Sequence, residues 1–516
     1  MKNKTLVLFL FILLKFVLQY IAINPAYELH RDEFLHLDLG NHIAWGYISV
    51  PPVTAWLSYL IISLGKTVFW VKFFPALFGA LTIWFVWKIV ETLGGNLFAL
   101  SLSALCVTLS ALLRINTLYQ PNSLEFLLWT TLFFTIIRFV QSQENKWLWY
   151  TGFAFALGFL NKYNISFLVL GLFPAMLLSK QRNLFTNKQF YLVLLVTLIL
   201  IAPNLWWQYQ NDFPVIWHLN TLSKTQLVNV DRMEFLKDQL LFFSGAHLVL
   251  IAGFISFFRF EPFKKFRFLL WTFIFVILSY VYLKAKSYYA IGLYPTFIAF
   301  GAVYLEKILN KGKKRYLRPV LLFIPIIVII PIFPIFLPVL SPQKIVENPD
   351  SFRSLGLLRW EDGKEHALPQ DFADMQGWNE LASLVDKAFE NVSNKSATLI
   401  HCDGYGMAGA INFYAHQTYT EALTLDADYI NWYPLDKMII ENVILVKGPW
   451  DDDPERKRET PLFDSISLIG KVENEYARDR LTSVYLLKGA KKDINAILKE
   501  EIHNRKFPKK MERNNQ

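Results

Sequence analysis

Residues 324–342, IPIIVIIPIFPIFLPVLSP, divide the chain. Before this proline-rich run the sequence is one stretch after another of Leu, Ile, Phe and Val. After it, from about residue 341, the composition is that of an ordinary soluble domain, roughly 175 residues long and able to bury its own core. Of all 516 residues, 54% are hydrophobic and 18% charged. Soluble domains average about 25% charged, so the balance points to a polytopic membrane protein. The net charge of +10 raises the possibility of nucleic acid. The basic residues, however, lie in loops between apolar runs, where a bilayer explains them, and no nucleic-acid motif is present. Of the two cysteines, Cys106 sits in an apolar run and Cys402 in the soluble part, so no disulfide is expected. The opening MKNKTLVLFLFILLKFVLQYIAI has a basic start and an apolar stretch without a small-residue cleavage site. It reads as an uncleaved signal anchor.

A helix needs about 20 apolar residues to cross the hydrocarbon. About eleven candidate spans satisfy or approach this: 5–23, 67–88, 96–113, 122–140, 147–160, 164–179, 189–206, 240–258, 268–283, 288–305 and 319–340. With the N-terminus inside, the loops 138–146, 180–188, 259–267 and 306–318 are cytoplasmic, and they hold nearly every dense Lys/Arg cluster of the membrane half. An odd number of spans then places the C-terminal domain outside. The expected location is the inner (plasma) membrane, with the N-terminus cytoplasmic and the C-terminal domain periplasmic. The domains are expected as 1–340 in the membrane, 341–503 as an extracytoplasmic α/β domain, and 504–516 as a disordered basic tail. Within the α/β domain, SATLIHCDGYGMAGAINFYA reads strand, glycine turn, helix, while NVILVKG and TSVYLLKG read as buried strands.

The outer loops carry the ionisable groups. The first, 24–66, packs Glu28, Arg31, Asp32, Glu33 and Asp38 among His30, His36 and His42. Its segment FLHLDLGNHIAW has the amphipathic spacing of an interfacial helix. Charges at the membrane face are costly unless paired or used. Asp32 and Glu33 are adjacent, so on a helix they project about 100° apart. Asp32 and His36 are one turn apart and share a face. A plain reading is a solvated helix cap. Other outer loops carry Arg114, Lys162, Lys284 and Lys286, each near a span end. Snorkelling to headgroups would account for each alone. Together, four cations, an acidic pair and the hydroxyls of Tyr288 and Tyr289 suit an anionic lipid-linked substrate, whose phosphate accepts charge-assisted hydrogen bonds.

The order of these pieces resembles the membrane glycosyltransferases of the C-type fold, the family of dolichyl-phosphate-mannose protein mannosyltransferases and lipid A aminoarabinose transferases. The resemblance rests on RDEFLHLDLGNHIAWGYISVPPVTAWL, YQPNSLEFLLW, LGFLNKYNISFLVLGL, APNLWWQYQNDFPVIWHL and KAKSYYAIGLYP, and in the C-terminal half on LPQDFADMQGW and DGYGMAGAINFYA. It implies an α-helical polytopic fold and inverting transfer of a sugar from a polyprenyl-phosphate carrier to a protein, lipid or glycan at the outer face. Asp32 would then be the general base and Glu33 its support, with Lys286 the phosphate ligand. Tyr288, Tyr289, Lys162, Arg114, Glu125 and His36 would join in binding substrate. The chemistry agrees. A glycosidase needs two carboxylates because its leaving alkoxide must be protonated. A departing polyprenyl phosphate needs no such help, so one base and some cations suffice. One position departs from the pattern: Asn122 stands where relatives often carry an acid, and Glu125, one turn on, would substitute. His30, His36 and His42 lack a metal-ligand spacing, so no metal or other cofactor is expected. GYGMAG lacks the Lys-Ser/Thr ending of a phosphate loop and reads as a strand–helix turn. A transporter or flippase would place its ionisable groups near the bilayer midplane, where this sequence has few, Lys15 among them.

Overall fold

The computed structural model describes residues 2–225, 227–416 and 420–506. The chain forms two compact units. One comprises Met1–Asn24, Ala44–Thr54 and Thr67–Val339; the other comprises Pro25–Ile43, Ala55–Lys66 and Leu340–Gln516.

The first unit is helical, and each of the eleven apolar segments contains a helix. Seven described helices are long and apolar enough to cross a membrane: Asn3–Ile21, Val68–Thr92, Pro121–Ser142, Lys188–Gln210, Glu261–Leu283, Ser287–Ile308 and Gly312–Phe336. Counting the pair Arg232–Leu241 and Ser244–Arg259, bent by 64°, as one span makes eight. Three segments give shorter helices: Leu97–Thr108, Lys146–Asn161 and Ile165–Leu177. At 1.5 Å per residue, a 12-residue helix covers about 18 Å of a hydrocarbon core about 30 Å thick.

In the 96–113 segment the helix ends at Thr108. There Thr108 and Ser110 donate their hydroxyls to the carbonyls of Ala104 and Val107, 2.7 and 2.8 Å away. Carbonyls freed beyond the break need partners wherever water is absent. Lys15 supplies one, donating to Leu112 O at 3.3 Å; Gln19 donates to Leu113 O at 2.9 Å and Lys72 to Thr117 O at 2.9 Å. Gly79 makes the room, because a Cβ there would strike the Lys15 stem and the Asn116 amide. Lys15 is therefore occupied in satisfying backbone at a helix break. Elsewhere the helices His247–Arg259 and Tyr294–Ile308 cross through Gly253 and Gly301, where an added methyl would run into the opposite backbone. Close approach through small residues is a common way for membrane helices to pack.

The second unit is built on a five-stranded sheet of order β2-β1-β3-β5-β4, with β1 Thr398–Cys402, β2 Leu423–Thr424, β3 Asn442–Lys447, β4 Phe463–Lys471 and β5 Ser483–Ala490. β1 runs parallel to β2 and β3, while β5 pairs antiparallel with both β3 and β4. The apolar runs of β1, β3 and β5 take the inner positions. The edge strand β4, FDSISLIGK, is half exposed and carries Asp464, Ser465 and Ser467, which hid it from the hydrophobic pattern.

The segment expected to lie along the membrane surface behaves differently. Arg31–Asp38 is a helix, and its residues Glu33 to Asp38 are buried within the second unit. Its Phe34 ring meets Trp378 edge-on at 5.8 Å and Tyr414 at 5.7 Å. It rests on the helix Tyr405–Tyr414, where a Cβ on Gly409 would lie 2.5 Å from that of Phe34, and one on Gly406 would lie 3.1 Å from that of Arg31. The glycines of GYGMAG thus open one helix to another, within a strand, turn and helix as the sequence indicated. Of the basic tail 504–516, residues 504–506 close the helix Ile494–Lys506, and the rest lies outside the described residues.

Candidate active site

In the second unit, Asp32 sits in the first turn of Arg31–Asp38. His30 caps that helix, accepting from Asp32 N at 3.2 Å, and Glu33 closes the box by accepting from His30 N at 2.8 Å. Glu33 is fully buried in this role, where it fixes the turn that carries Asp32. His36 lies buried one turn on, close enough to Asp32 to favour its charged form. The Asp32 carboxylate keeps 37% of its side chain exposed. Its Oδ1 accepts from the Tyr405 hydroxyl at 2.7 Å. That same phenolic oxygen accepts from Arg31 Nε at 3.0 Å and Nη2 at 2.7 Å, with the guanidinium 4.8 Å over the ring. Partial burial pushes the Asp32 carboxyl up, but His30, Arg31, the Tyr405 hydroxyl and His36 outweigh it and hold it at about 2. Behind Arg31 lies the buried Asp374, 3.9 Å from Arg31 Nη1, 3.8 Å from His30 Nε2 and 3.1 Å from Arg478 Nη1.

A second polar cluster belongs to the first unit. Lys162 ends the helix Lys146–Asn161; its Nζ donates to Asn122 Oδ1 at 2.6 Å and pairs with Glu125 at 3.1 Å. The ammonium also lies 4.4 Å from the Tyr289 ring centre and 5.3 Å from that of Tyr288. Glu125 is 1% exposed and accepts from the Asn164 amide, whose oxygen accepts from Tyr280 OH at 2.7 Å. The structure therefore brings Lys162, Glu125, Tyr288 and Tyr289 together, as well as Asn122, which stands in place of the expected acid. Lys286 lies two residues before Tyr288, half-buried at the start of the short helix Ser287–Leu293. Arg114 bonds locally, to Thr117 Oγ1 at 3.1 Å. Lys284 takes a left-handed turn, φ 53°, and reaches Val228 O at 3.4 Å. Among the described residues, no three His, Cys, Asp or Glu side chains converge to hold a metal.

Breaking the Lys162–Glu125 pair should cost stability. Lys162 is 19% exposed and its partner almost fully enclosed. Removing one member of a buried pair typically costs about 3–5 kcal/mol because the other charge is stranded. Lys162→Met should therefore lower the thermal midpoint sharply in detergent, and adding Glu125→Gln should restore most of it. An unchanged midpoint in the single variant would show that Glu125 does not carry a buried charge.

Residues 49–207 match the family of dolichyl-phosphate-mannose-protein mannosyltransferases. The match takes in Arg114, Glu125 and Lys162 and stops short of Asp32 and KAKSYY. Two solved structures share the fold over most of the chain. ArnT from Cupriavidus metallidurans bound to undecaprenyl phosphate superposes with a TM-score of 0.62 at 12% identity, over 92% of this chain and 97% of that one. Its apo state gives 0.62 at 11%, over 93% and 98%. The chain has the fold of these membrane transferases, and its residues 49–207 match the mannosyltransferase family. The apo oligosaccharyltransferase of Archaeoglobus fulgidus superposes at 0.50 with 13% identity, over 86% of this chain and 69% of that one. No curated protein sequence matches this chain.

Sequence reasoning passed over several residues of the two clusters. Tyr405 and Asp374 lie in stretches that carried the resemblance, and Arg31 was counted only among the charges. Asn164 lies in LGFLNKYNISFLVLGL, another such stretch. Tyr280 and Arg478 had no local signal, the first inside an apolar run and the second in an ordinary polar turn.

Proposed function

We propose that this protein is a glycosyltransferase that moves a sugar from a polyprenyl-phosphate carrier to an acceptor hydroxyl, on a protein, lipid or glycan, at the outer face of the membrane, with inversion. The observation that carries this reading is Asp32: a part-exposed carboxylate kept ionised by Arg31 and Tyr405. The acceptor oxygen attacks the anomeric carbon, the bond from that carbon to the phosphate oxygen breaks, and its electron pair leaves with the phosphate. The acceptor's proton passes to Asp32. A carboxylate held near pH 2 is a weak base, so it takes that proton late, once bond formation has made the acceptor oxygen acidic. Lys286 is the phosphate ligand in this scheme, with Tyr288, Tyr289, Lys162, Arg114, Glu125 and His36 shaping the substrate sites. The ArnT structure with undecaprenyl phosphate supports a carrier of this class. Mass spectrometry of lipid-linked sugars and surface glycans, in cells with and without the gene, should show a lipid-linked sugar accumulating and a surface sugar lost. Neither change would sink the reading, and NMR of the product's anomeric centre tests inversion.

The same reading places the N-terminus in the cytoplasm and the C-terminal unit outside, from the Lys/Arg distribution. A reporter active only outside the cytoplasm, fused at the C-terminus, should give signal. A reporter that works only in the cytoplasm succeeding there would reverse the orientation.

A further inference from the structure

We propose that Tyr405, in the C-terminal half of the chain, is a positioning residue that orients the Asp32 carboxylate for proton transfer. This inference rests on Asp32 as the base. A phenol has one proton to give and two lone pairs to receive with. Arg31 Nε and Nη2 both donate to the Tyr405 oxygen, so the phenolic proton points to Asp32 Oδ1, 2.7 Å away. The arrangement is anchored from behind. Arg31 is 3.9 Å from Asp374, itself buried and contacted by Arg478 at 3.1 Å. Tyr405 opens the helix Tyr405–Tyr414 directly after β1 and the Gly404 turn, so the sheet sets the position of its ring. Gly406 and Gly409 let the Asp32 helix come close enough for the hydroxyl to reach. The glycine-rich stretch thus gains a purpose that neither a phosphate loop nor a plain turn supplies. A hydroxyl donating to a carboxylate oxygen restrains the plane of that carboxylate and opposes its protonation.

The charged and titratable groups around Asp32 are His30 and His36 on its own segment, Arg31, and Tyr405 across from it, with Asp374, Arg478 and Asp479 around Arg31. Tyr405→Phe removes the one hydroxyl and keeps the ring. In deletion cells complemented with this variant, transfer to the surface glycan should fall about ten- to a hundredfold, the range for a misplaced catalytic group. Infrared spectroscopy of the purified full chain, with Asp32→Asn used to assign the band, should show Asp32 protonating at higher pH. Loss of a hydrogen bond to a charged group corresponds to a rise of about one to two pH units. Arg31→Lys, which keeps the charge but gives up the two-pronged hold on the phenolic oxygen, should move both readouts the same way by less. Tyr414→Phe, on the same helix, should move neither. Wild-type transfer in Tyr405→Phe overturns the proposal, and so does a fall in transfer with the Asp32 titration unmoved, which would mean a merely structural role. If Asp32→Asn itself transfers normally, the base assignment fails. If Asp32→Asn is inactive while Tyr405→Phe is normal, only the positioning role fails.

Discussion

Asp32→Asn reduces transfer about 10²–10⁴-fold, the usual cost of losing a general base, while the chain still inserts and folds. The amide is the same size as the carboxylate and its oxygen still accepts from Tyr405, so the hydrogen bond at Oδ1 survives. Arg31 loses one partner at 3.7 Å but keeps Tyr405 and Asp374. What disappears is the ability to take a proton. Complementation of deletion cells, read as surface sugar by mass spectrometry, measures the loss, and a thermal midpoint near that of the wild type shows that folding is intact. Wild-type transfer by a correctly folded Asp32→Asn enzyme would remove this residue from the mechanism. Glu33→Gln makes a useful contrast. Glu33 is bound to the His30 backbone, so the amide should trade a little stability for a small change in transfer.

Lys286→Ala weakens binding of undecaprenyl phosphate roughly ten- to a hundredfold, since a hydrogen bond to a charged group is worth about 1.5–3 kcal/mol. The residue opens the short helix Ser287–Leu293, its carbonyl accepting from Tyr289 N at 3.1 Å. It therefore stands beside the two tyrosines whose rings hold the Lys162 ammonium. Lys286→Arg should retain part of the affinity, as charge survives while the geometry changes. If Lys286 merely reaches for headgroups, the alanine variant changes expression slightly and leaves the dissociation constant alone. Titration of the detergent-solubilised chain with undecaprenyl phosphate separates the two. An unchanged constant moves attention to Arg114 and Lys162. The latter is best examined as Lys162→Met with Glu125→Gln, because the single change strands a buried acid.

Much of this protein was legible from local sequence because its physics is local. A backbone in lipid must satisfy its own hydrogen bonds, so each apolar run became a helix, and the Lys/Arg clusters fell between them. The runs TLIHC, NVILVK and SVYLLKGA became the inner strands because a buried strand needs no polar alternation. The capping of Arg31–Asp38 was also written nearby, in His30 and Glu33. Helix ends were less legible: whether 96–113 runs through or stops at Thr108 depends on Lys15, Gln19 and Lys72 meeting the freed carbonyls from distant helices. The same limit applied to Asp32. Its acidic neighbourhood was visible, yet the hydroxyl that holds it comes from 373 positions away. Glu125, Lys162 and Tyr289 likewise meet only after three segments fold together. Hydrophobic period and charge count determine which residues enter a membrane or a core. Only tertiary packing decides which buried polar groups meet, because each partner is chosen by distance in space and carries no mark in its own neighbourhood.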